Sequence, residues 1–275
     1  MRPEDIEVIR GVVLSRSGVV IDPTKTYLIE TRLAPLVRRE GFASHGELIQ
    51  AIRTRRDDKL MWALTEALTS SETSFFRDRA PFDQFRDEIL PELAARRGDR
   101  PIRVWSAACA TGQEPYSLAM IVDAERSKLP GAQIELFGSD LSERCLEKAQ
   151  SGLYTQFEVQ RGLPIRLLVR YFEQADELWA LSPRVRQMVR WRRVNLLADL
   201  SPLGQFDVIF CRNVISAFDE AVRRRVLEQL AKALPDDGRL VLGLDETVMG
   251  ITEALQPVPG RRGVYAPSPG FRRAA

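Results

Sequence analysis

An all-helical module followed by an α/β domain that carries a small β insertion is the fold class this sequence predicts. Three observations carry it. Before residue 80 the apolar residues recur at helical spacing and never alternate with period two. After residue 101, short β-branched runs alternate with helical patterns. One interval, 152–188, fits neither grammar.

The elements follow in order. In 3–17, Ile6, Ile9 and Val13 share one helical face, with Pro3 suited to a first turn and Gly18 to a stop. In 25–40, Ile29, Leu33 and Leu36 repeat the pattern, and Pro35 is expected to kink or shorten the helix. Over 58–69, Leu60, Leu64 and Leu68 form a stripe beside Met61 and Ala67. Phe82, Phe85, Ile89 and Leu93 then mark an amphipathic segment that Pro91 is expected to break or bend, and RRGDR (96–100) reads as a loop. Strands are expected at 102–107, 134–139, 189–194, 206–210 and 239–244, with helices at 114–127, 142–151 and 220–234. Such alternation implies βαβ units and a parallel sheet covered on both faces. The GLYTQF, RGLP, VRYF and LWALSP runs of 152–188 read as a small, partly β subdomain, because a structureless loop of that length is rare in a compact domain. The tail from Gly260 is expected to end frayed. The domains are therefore 1–80, helical with a linker, and 81–275, with 152–188 inserted.

Composition narrows the function. The 275 residues are 44% apolar and 28% charged, enough for a real core. With 40 Lys and Arg against 38 Asp and Glu, the net charge is +2, which argues against a nucleic-acid binder. No apolar run approaches the roughly 18 residues of a membrane span, and the N-terminus MRPEDIEVIRG has acids where an export signal needs an apolar core. Cys109, Cys145 and Cys211 lack CxxC spacing, so they read as free thiols in a reducing compartment, with no zinc site and no disulfide framework. A cytoplasmic protein, monomeric by default, is expected.

Three clusters carry chemical promise. In SAACATGQEPYSLAM (106–120) a strand runs through small residues into a helix start, where backbone can approach a ligand and helix N–H groups are unpaired. Full GxGxxG is missing, so a dinucleotide is poorly supported. Glu114 at the helix start either stabilises the helix dipole or binds a cationic ligand's amino group. Asp140 ends the second strand, placed either to take ribose hydroxyls or to cap the next helix; beside the 106–114 turn the ribose reading leads. In FDVIFCRNV (206–214) a buried strand ends in Arg212 and Asn213, and Asn195 ends another.

Together the segments resemble one family, the S-adenosylmethionine-dependent chemotaxis receptor methyltransferases called CheR. The resemblance spans nearly the whole chain: ETSFFRD (72–78), VWSAACATGQEPYSLAM (104–120), SDLSERCLEKAQSGLY (139–154), RGLP (161–164), RYF (170–172), NLL (195–197) and FDVIFCRNV (206–214). It implies a helical N-terminal domain linked to a Rossmann-like S-adenosylmethionine methyltransferase domain with a β insertion. It also implies methylation of glutamate side chains on chemoreceptor cytoplasmic domains, with S-adenosylhomocysteine as product. By motif, Ser71, Thr73 and Arg77 lie on a linker strand over the cofactor, Glu114 meets the methionine amino end and Asp140 the ribose. Asn195, Leu196, Arg212 and Asn213 line the adenosine and nearby parts. Arg77 is the residue expected to orient the substrate carboxylate, a guanidinium fork matching it geometrically, with a surface ion pair to Asp78 as the plainer alternative. Phe75 and Phe76 are expected to anchor the linker by packing.

Three positions depart from the family pattern. Ser71 stands for a usual asparagine, Gln113 for a usual acid, and Ala217 for a usual tyrosine near the transferred methyl. The last leaves a second reading in view, a module that keeps the ligand but regulates a signalling partner without catalysis. Lys25, Arg32 and Arg39 recur every seven positions and form either a solvated face or, as the family implies, a docking stripe for an acidic receptor bundle. His45 is expected in a surface loop.

Overall fold

The computed structural model describes residues 1–55, 57–69 and 71–271, and the chain groups into two compact units: 1–70 with 217–222, and 71–216 with 223–275.

The first unit contains α1 (Pro3–Ser17), α2 (Thr26–Arg39), α3 (His45–Arg55) and α4 (Asp58–Leu68). Pro3 sits in the first turn of α1, and Gly18 stops it in a left-handed conformation, its N–H returning to Leu14 C=O. Asp57 caps α4 by accepting from Lys59 and Leu60 N–H. Ile9, Val13, Leu33, Leu48, Ile49 and Leu64 form the core of this unit. Two expectations need correction. Pro35 lies inside α2 without ending it; Pro35 and Thr31 are both exposed, so the carbonyl left without a partner four residues back faces water. His45 opens α3 rather than sitting in a loop, half-buried with Nε2 at 3.0 Å from Glu30 C=O. Ser44 and Glu47 have the spacing of a capping box at the start of this helix: Glu47 N–H donates to Ser44 Oγ, and Ala43 N–H to Glu47 Oε2.

The second unit opens with α5 (Ala80–Gln84), a π-helical turn (Phe85–Ile89) and α6 (Leu90–Arg97). Pro91 does not break this run. It follows the π turn, in which Leu90 N–H donates five residues back to Phe85 C=O. Then come β1 (Ile102–Ala107), α7 (Gln113–Glu125), β2 (Ile134–Asp140), α8 (Glu143–Ser151), β3 (Leu153–Thr155), α9 (Gln156–Gln160), α10 (Ile165–Tyr171), β4 (Phe172–Ala175), β5 (Leu178–Leu181), α11 (Pro183–Arg186), β6 (Val189–Arg193), β7 (Val208–Cys211), α12 (Glu220–Lys232), β8 (Arg239–Leu242), β9 (Leu255–Pro257) and β10 (Val264–Pro267).

The main sheet has the order β6-β2-β1-β7-β8-β10-β9. Its first five strands are parallel, as the alternation predicts, but β10 pairs antiparallel with β8 and β9, so the sheet is mixed. Both added strands are short, lie among Pro and Gly, and lack any repeating pattern. Strand β10 lies in the tail from Gly260, ahead of the end expected to fray, and 272–275 of that end lie outside the described residues. The interval 152–188 supplies a separate antiparallel sheet, β3-β5-β4, with three short helices. Phe75, Phe82, Phe85, Val104, Tyr116, Tyr154, Val208 and Phe210 lie at the centre of the unit's core.

Candidate functional site

Strand order places a switch point beside β1. From β1 the chain moves outward through β2 to β6, then returns to the other side of β1 with β7 and β8. In open α/β sheets, ligands bind in the crevice outside the carboxyl ends of the strands at such a point. The expected residues of this unit gather on that edge. Residues 108–114 follow β1, Asp140 ends β2, Asn195 and Leu196 follow β6, and Arg212 and Asn213 follow β7.

Side chains tie these strand ends together. The Glu114 carboxylate, buried at the start of α7, accepts from Ser106 Oγ at 2.8 Å and from Arg212 Nη1 at 3.0 Å. Asp140 Oδ2 accepts from Ala110 N–H at 2.8 Å, and its Oδ1 accepts from Ser142 N–H at 2.9 Å. The cap of α8 is Ser142, whose Oγ accepts from Cys145 N–H, so Asp140 holds the turn ahead of the cap. Asn195 Oδ1 accepts from Leu197 N–H, and Leu196 is buried.

The turn after β1 is unusual backbone. Ala108 and Ala110 adopt positive φ (52° and 49°), which residues other than glycine rarely do. Phe76, Asp78, Arg79 and Asn213 do so as well. Among the described residues, six of the seven such non-glycine positions therefore lie in three segments: 76–79, 108–110 and the end of β7. Strain of this kind persists where surrounding structure holds it, and it clusters at functional sites.

The segment 71–79 is not the expected linker strand; residues 75–78 are turns. Phe75 is buried and meets Tyr154 and Phe172 edge-on, with ring centroids 5.1 and 5.6 Å away. Phe76 N–H donates to Ser117 Oγ at 3.0 Å. Arg212 Nη2 donates to both Arg77 C=O and Asp78 Oδ2 at 2.7 Å. Asp78 thus pairs with Arg212 and not with Arg77, whose Nη1 donates to Glu72 C=O at 3.0 Å. Ser71 is exposed and Thr73 half-buried.

The small sheet reaches the same turn. Buried Tyr154 on β3 donates its hydroxyl to Thr111 C=O at 2.9 Å, and burial raises its pKa well above the ordinary value. Burial, with the Asp140 and Glu114 carboxylates nearby, also pushes the Cys109 thiol up. Cys211 is raised by burial and then by Glu246 and Glu114. Both thiols are held protonated, which removes them as nucleophiles at neutral pH. Among the described residues no cluster of His, Cys, Asp and Glu could hold a metal, and no helix is long and apolar enough to cross a membrane. Sequence reasoning missed Asp78, Tyr154 and Glu246; only the strand-end spacing of Glu246 after β8 hinted at a role.

Two acids on one carboxyl edge, flanking a switch point beside a turn of small residues, mark an α/β domain for a nucleoside-containing ligand. Comparison with known proteins makes that class particular. The family model described as "CheR methyltransferase, SAM binding domain" matches 71–264, and "CheR methyltransferase, all-alpha domain" matches 4–69. Chemotaxis protein methyltransferase 1 of Pseudomonas aeruginosa is 37% identical over 264 residues, covering 94% of this chain and 96% of that protein. Chemotaxis protein methyltransferase 1 of Vibrio cholerae is 37% identical over 253 residues, 91% of each. The chain belongs to the CheR methyltransferase family, and its cofactor is S-adenosylmethionine.

The residues present fit that cofactor. Each carboxylate oxygen of Glu114 carries two acceptor sites and takes one bond, so this acid keeps capacity for an amino group, and Asp140 ends β2 beside the Ala110 turn, where a ribose would lie. Arg212 Nε is buried without an acceptor among the described residues, a spare donor on the same guanidinium.

Proposed function

We propose that the chain is a protein-glutamate O-methyltransferase acting on chemoreceptor cytoplasmic domains, a cytoplasmic monomer with no nucleic-acid partner and no membrane insertion. The observation that carries the reading is the link from Glu114 through Arg212 to Arg77 C=O and Asp78. It joins the expected cofactor acid to the segment expected to face the substrate.

In this reading Glu114 holds the methionine amino end, Asp140 the ribose, and Asn195, Leu196, Arg212 and Asn213 the adenosine and its surroundings. Ser71 and Thr73 contribute from the covering segment. The helical domain with its linker, 1–80, docks the receptor, and 81–275 transfers the methyl group. When bound, S-adenosylmethionine would supply the methyl as a sulfonium already activated for transfer to a carboxylate oxygen, with S-adenosylhomocysteine as the leaving product. The protein need not remove a proton, because a glutamate of ordinary pKa near 4.3 is already ionised at neutral pH. Its task is alignment, a proximity effect. Arg77 turns its guanidinium fork to the substrate carboxylate.

The test is transfer of labelled methyl to receptor cytoplasmic fragments, read as base-labile methanol. Release by the wild type and its loss in Arg77→Ala support the reading. A chain that binds S-adenosylhomocysteine yet transfers nothing would be the ligand-keeping regulatory module. One observation keeps that second reading: Ala217 replaces the family tyrosine, and its C=O accepts from Val20 N–H at 2.9 Å within the helical unit.

A further inference from the structure

Four backbone N–H groups converge on one carboxylate at the carboxyl edge of the sheet. Glu246, in the turn after β8, is buried. Its Oε2 accepts from Asn213 N–H at 2.7 Å and from Gly243 N–H at 2.9 Å. Its Oε1 accepts from Val214 N–H at 2.8 Å and from Ser216 N–H at 3.2 Å. A carboxylate offers about four acceptor sites, and here four donors take them. The Tyr265 hydroxyl on β10 donates to Glu246 C=O at 3.3 Å, which pins the residue's own backbone.

What Glu246 holds is an unfavourable shape. Asn213 sits at φ 58°, a conformation that its surroundings must impose. The chain after β7 also comes so close to the turn after β8 that a Cβ on Gly243 would lie 2.8 Å from Asn213 Nδ2 and 2.9 Å from Glu246 Oε2. Without an acceptor, four N–H groups would lack partners and the left-handed turn would lose its support.

We infer that Glu246 is a positioning residue of the cofactor site: its carboxylate clamps the chain after β7 so that Arg212 and Asn213 are presented to the cofactor. The inference rests on the reading above that these two residues line that site. Glu246 itself touches neither cofactor nor substrate. It acts through backbone amides contributed by two adjacent strand ends.

Glu246→Gln tests it. The amide keeps the shape but exchanges one oxygen for an NH2, so two of the four N–H groups face a donor. Two readouts are taken on the full chain: hydrogen exchange at the amides of 213, 214, 216 and 243, and the dissociation constant for S-adenosylhomocysteine. The inference expects exchange at these amides to accelerate, and binding to weaken by about tenfold or more, as loss of hydrogen bonds to a charged acceptor implies. Asp245→Asn, one residue earlier and exposed, removes a charge from the same turn and should leave both readouts at wild-type values. Where Glu246→Gln does not fold, Glu246→Asp carries the test; it keeps both oxygens on a shorter arm and gives intermediate values. Unchanged exchange overturns the clamp. Faster exchange with unchanged affinity overturns the positioning role and leaves a structural one. A wild type that fails to bind S-adenosylhomocysteine overturns the cofactor reading itself, and the two failures are thereby told apart.

Discussion

At Arg212 one guanidinium meets partners drawn from across the unit: Glu114, 98 positions away, Asp78, 134 away, and the Arg77 carbonyl, 135 away. Its face also lies over the Phe82 ring, 5.3 Å from the centroid. Removing one member of a buried pair leaves the other charge uncompensated. Arg212→Ala should therefore cost about 3–5 kcal/mol of stability by chemical denaturation, and it should weaken S-adenosylhomocysteine binding. Arg212→Lys keeps the charge but not the fork, so it recovers only part of either. The cysteines give a second residue-scale expectation. Cys145 is half-buried, whereas Cys109 and Cys211 are buried with raised pKa. A thiol reagent at pH 8 should modify Cys145 first and reach the other two only on unfolding, as read by mass spectrometry. Rapid labelling of Cys109 in folded protein would contradict its burial.

Among the elements, the segment 75–78 is held through its backbone, through the Asp78–Arg212 pair and through the rings of Phe75 and Phe76. The RGLP motif explains part of this. Gly162, at φ 90°, lets the chain pass so close to Phe75 C=O that a Cβ would lie 2.1 Å from that oxygen. Gly162→Ala should cost about 2 kcal/mol or more, from strain plus displacement, and lower the urea midpoint. Phe75→Ala should cost about 3–5 kcal/mol by emptying the centre of the Tyr154–Phe172 cluster. The small sheet is fastened at a second place. The Tyr171 hydroxyl, its pKa pushed up to about 12 by burial and then by Asp123, donates to Asp123 on α7, and Arg184 reaches the same oxygen. On the helical unit, α2 runs unbroken through Pro35, so Arg32 and Arg39 share one exposed stripe. Arg32 also donates to Leu68 C=O at the end of α4, and Arg39 to Glu40. Lys25 precedes the helix as its cap residue and pairs with Asp22. Arg39→Glu, alone and with Arg32→Glu, should weaken binding to receptor fragments; unchanged affinity in folded variants would remove the stripe from the docking surface.

Across the whole molecule, acid stability follows from paired carboxylates. Arg97 forks onto Asp237 at 2.6 and 2.7 Å, also bonds Asp207, and holds the Asp237 carboxyl below its ordinary range. Arg261 does the same to Glu92. A carboxyl with a lowered folded pKa contributes its stability above its unfolded pKa, and that contribution is lost as pH falls through the folded value. Stability should therefore be level near neutrality and fall once pH drops below the ordinary aspartate and glutamate range. Asp237→Asn should be less stable than the wild type near neutrality, with the gap closing as acid is added. Sheet edges are also protected at this scale. Strand β6 carries Arg190, Arg192 and Arg193, and β9 ends in Pro257; both features discourage pairing with another chain.

Much of this was legible in residue order. Parallel strands β1, β2, β6, β7 and β8 follow from β-branched runs alternating with helical spacing, because period and propensity are local. Asp140, Asn195 and Arg212 were legible as polar residues at strand ends and Glu114 as the acid of a helix start, since their places depend only on where each element begins or stops. The π turn before Pro91 was not, because proline announces a missing N–H but not how the turn ahead of it adjusts. Strands β9 and β10 were not legible either: three and four residues beside prolines carry no period, and they become strands by pairing at an open sheet edge.

By itself the sequence determined the helical module, the βαβ grammar, the place of the small-residue turn and the family, since each rests on neighbours within one segment or on motif order. Tertiary structure alone decided that Arg212 pairs with Asp78 rather than leaving it to Arg77. It also decided that Glu246 gathers four amides from two strand ends, and that Tyr154 reaches Thr111 from a separate sheet. These contacts join groups tens to more than a hundred positions apart. Side-chain type states what a residue is able to bond, and only the packed sheet determines which partner comes within 3 Å.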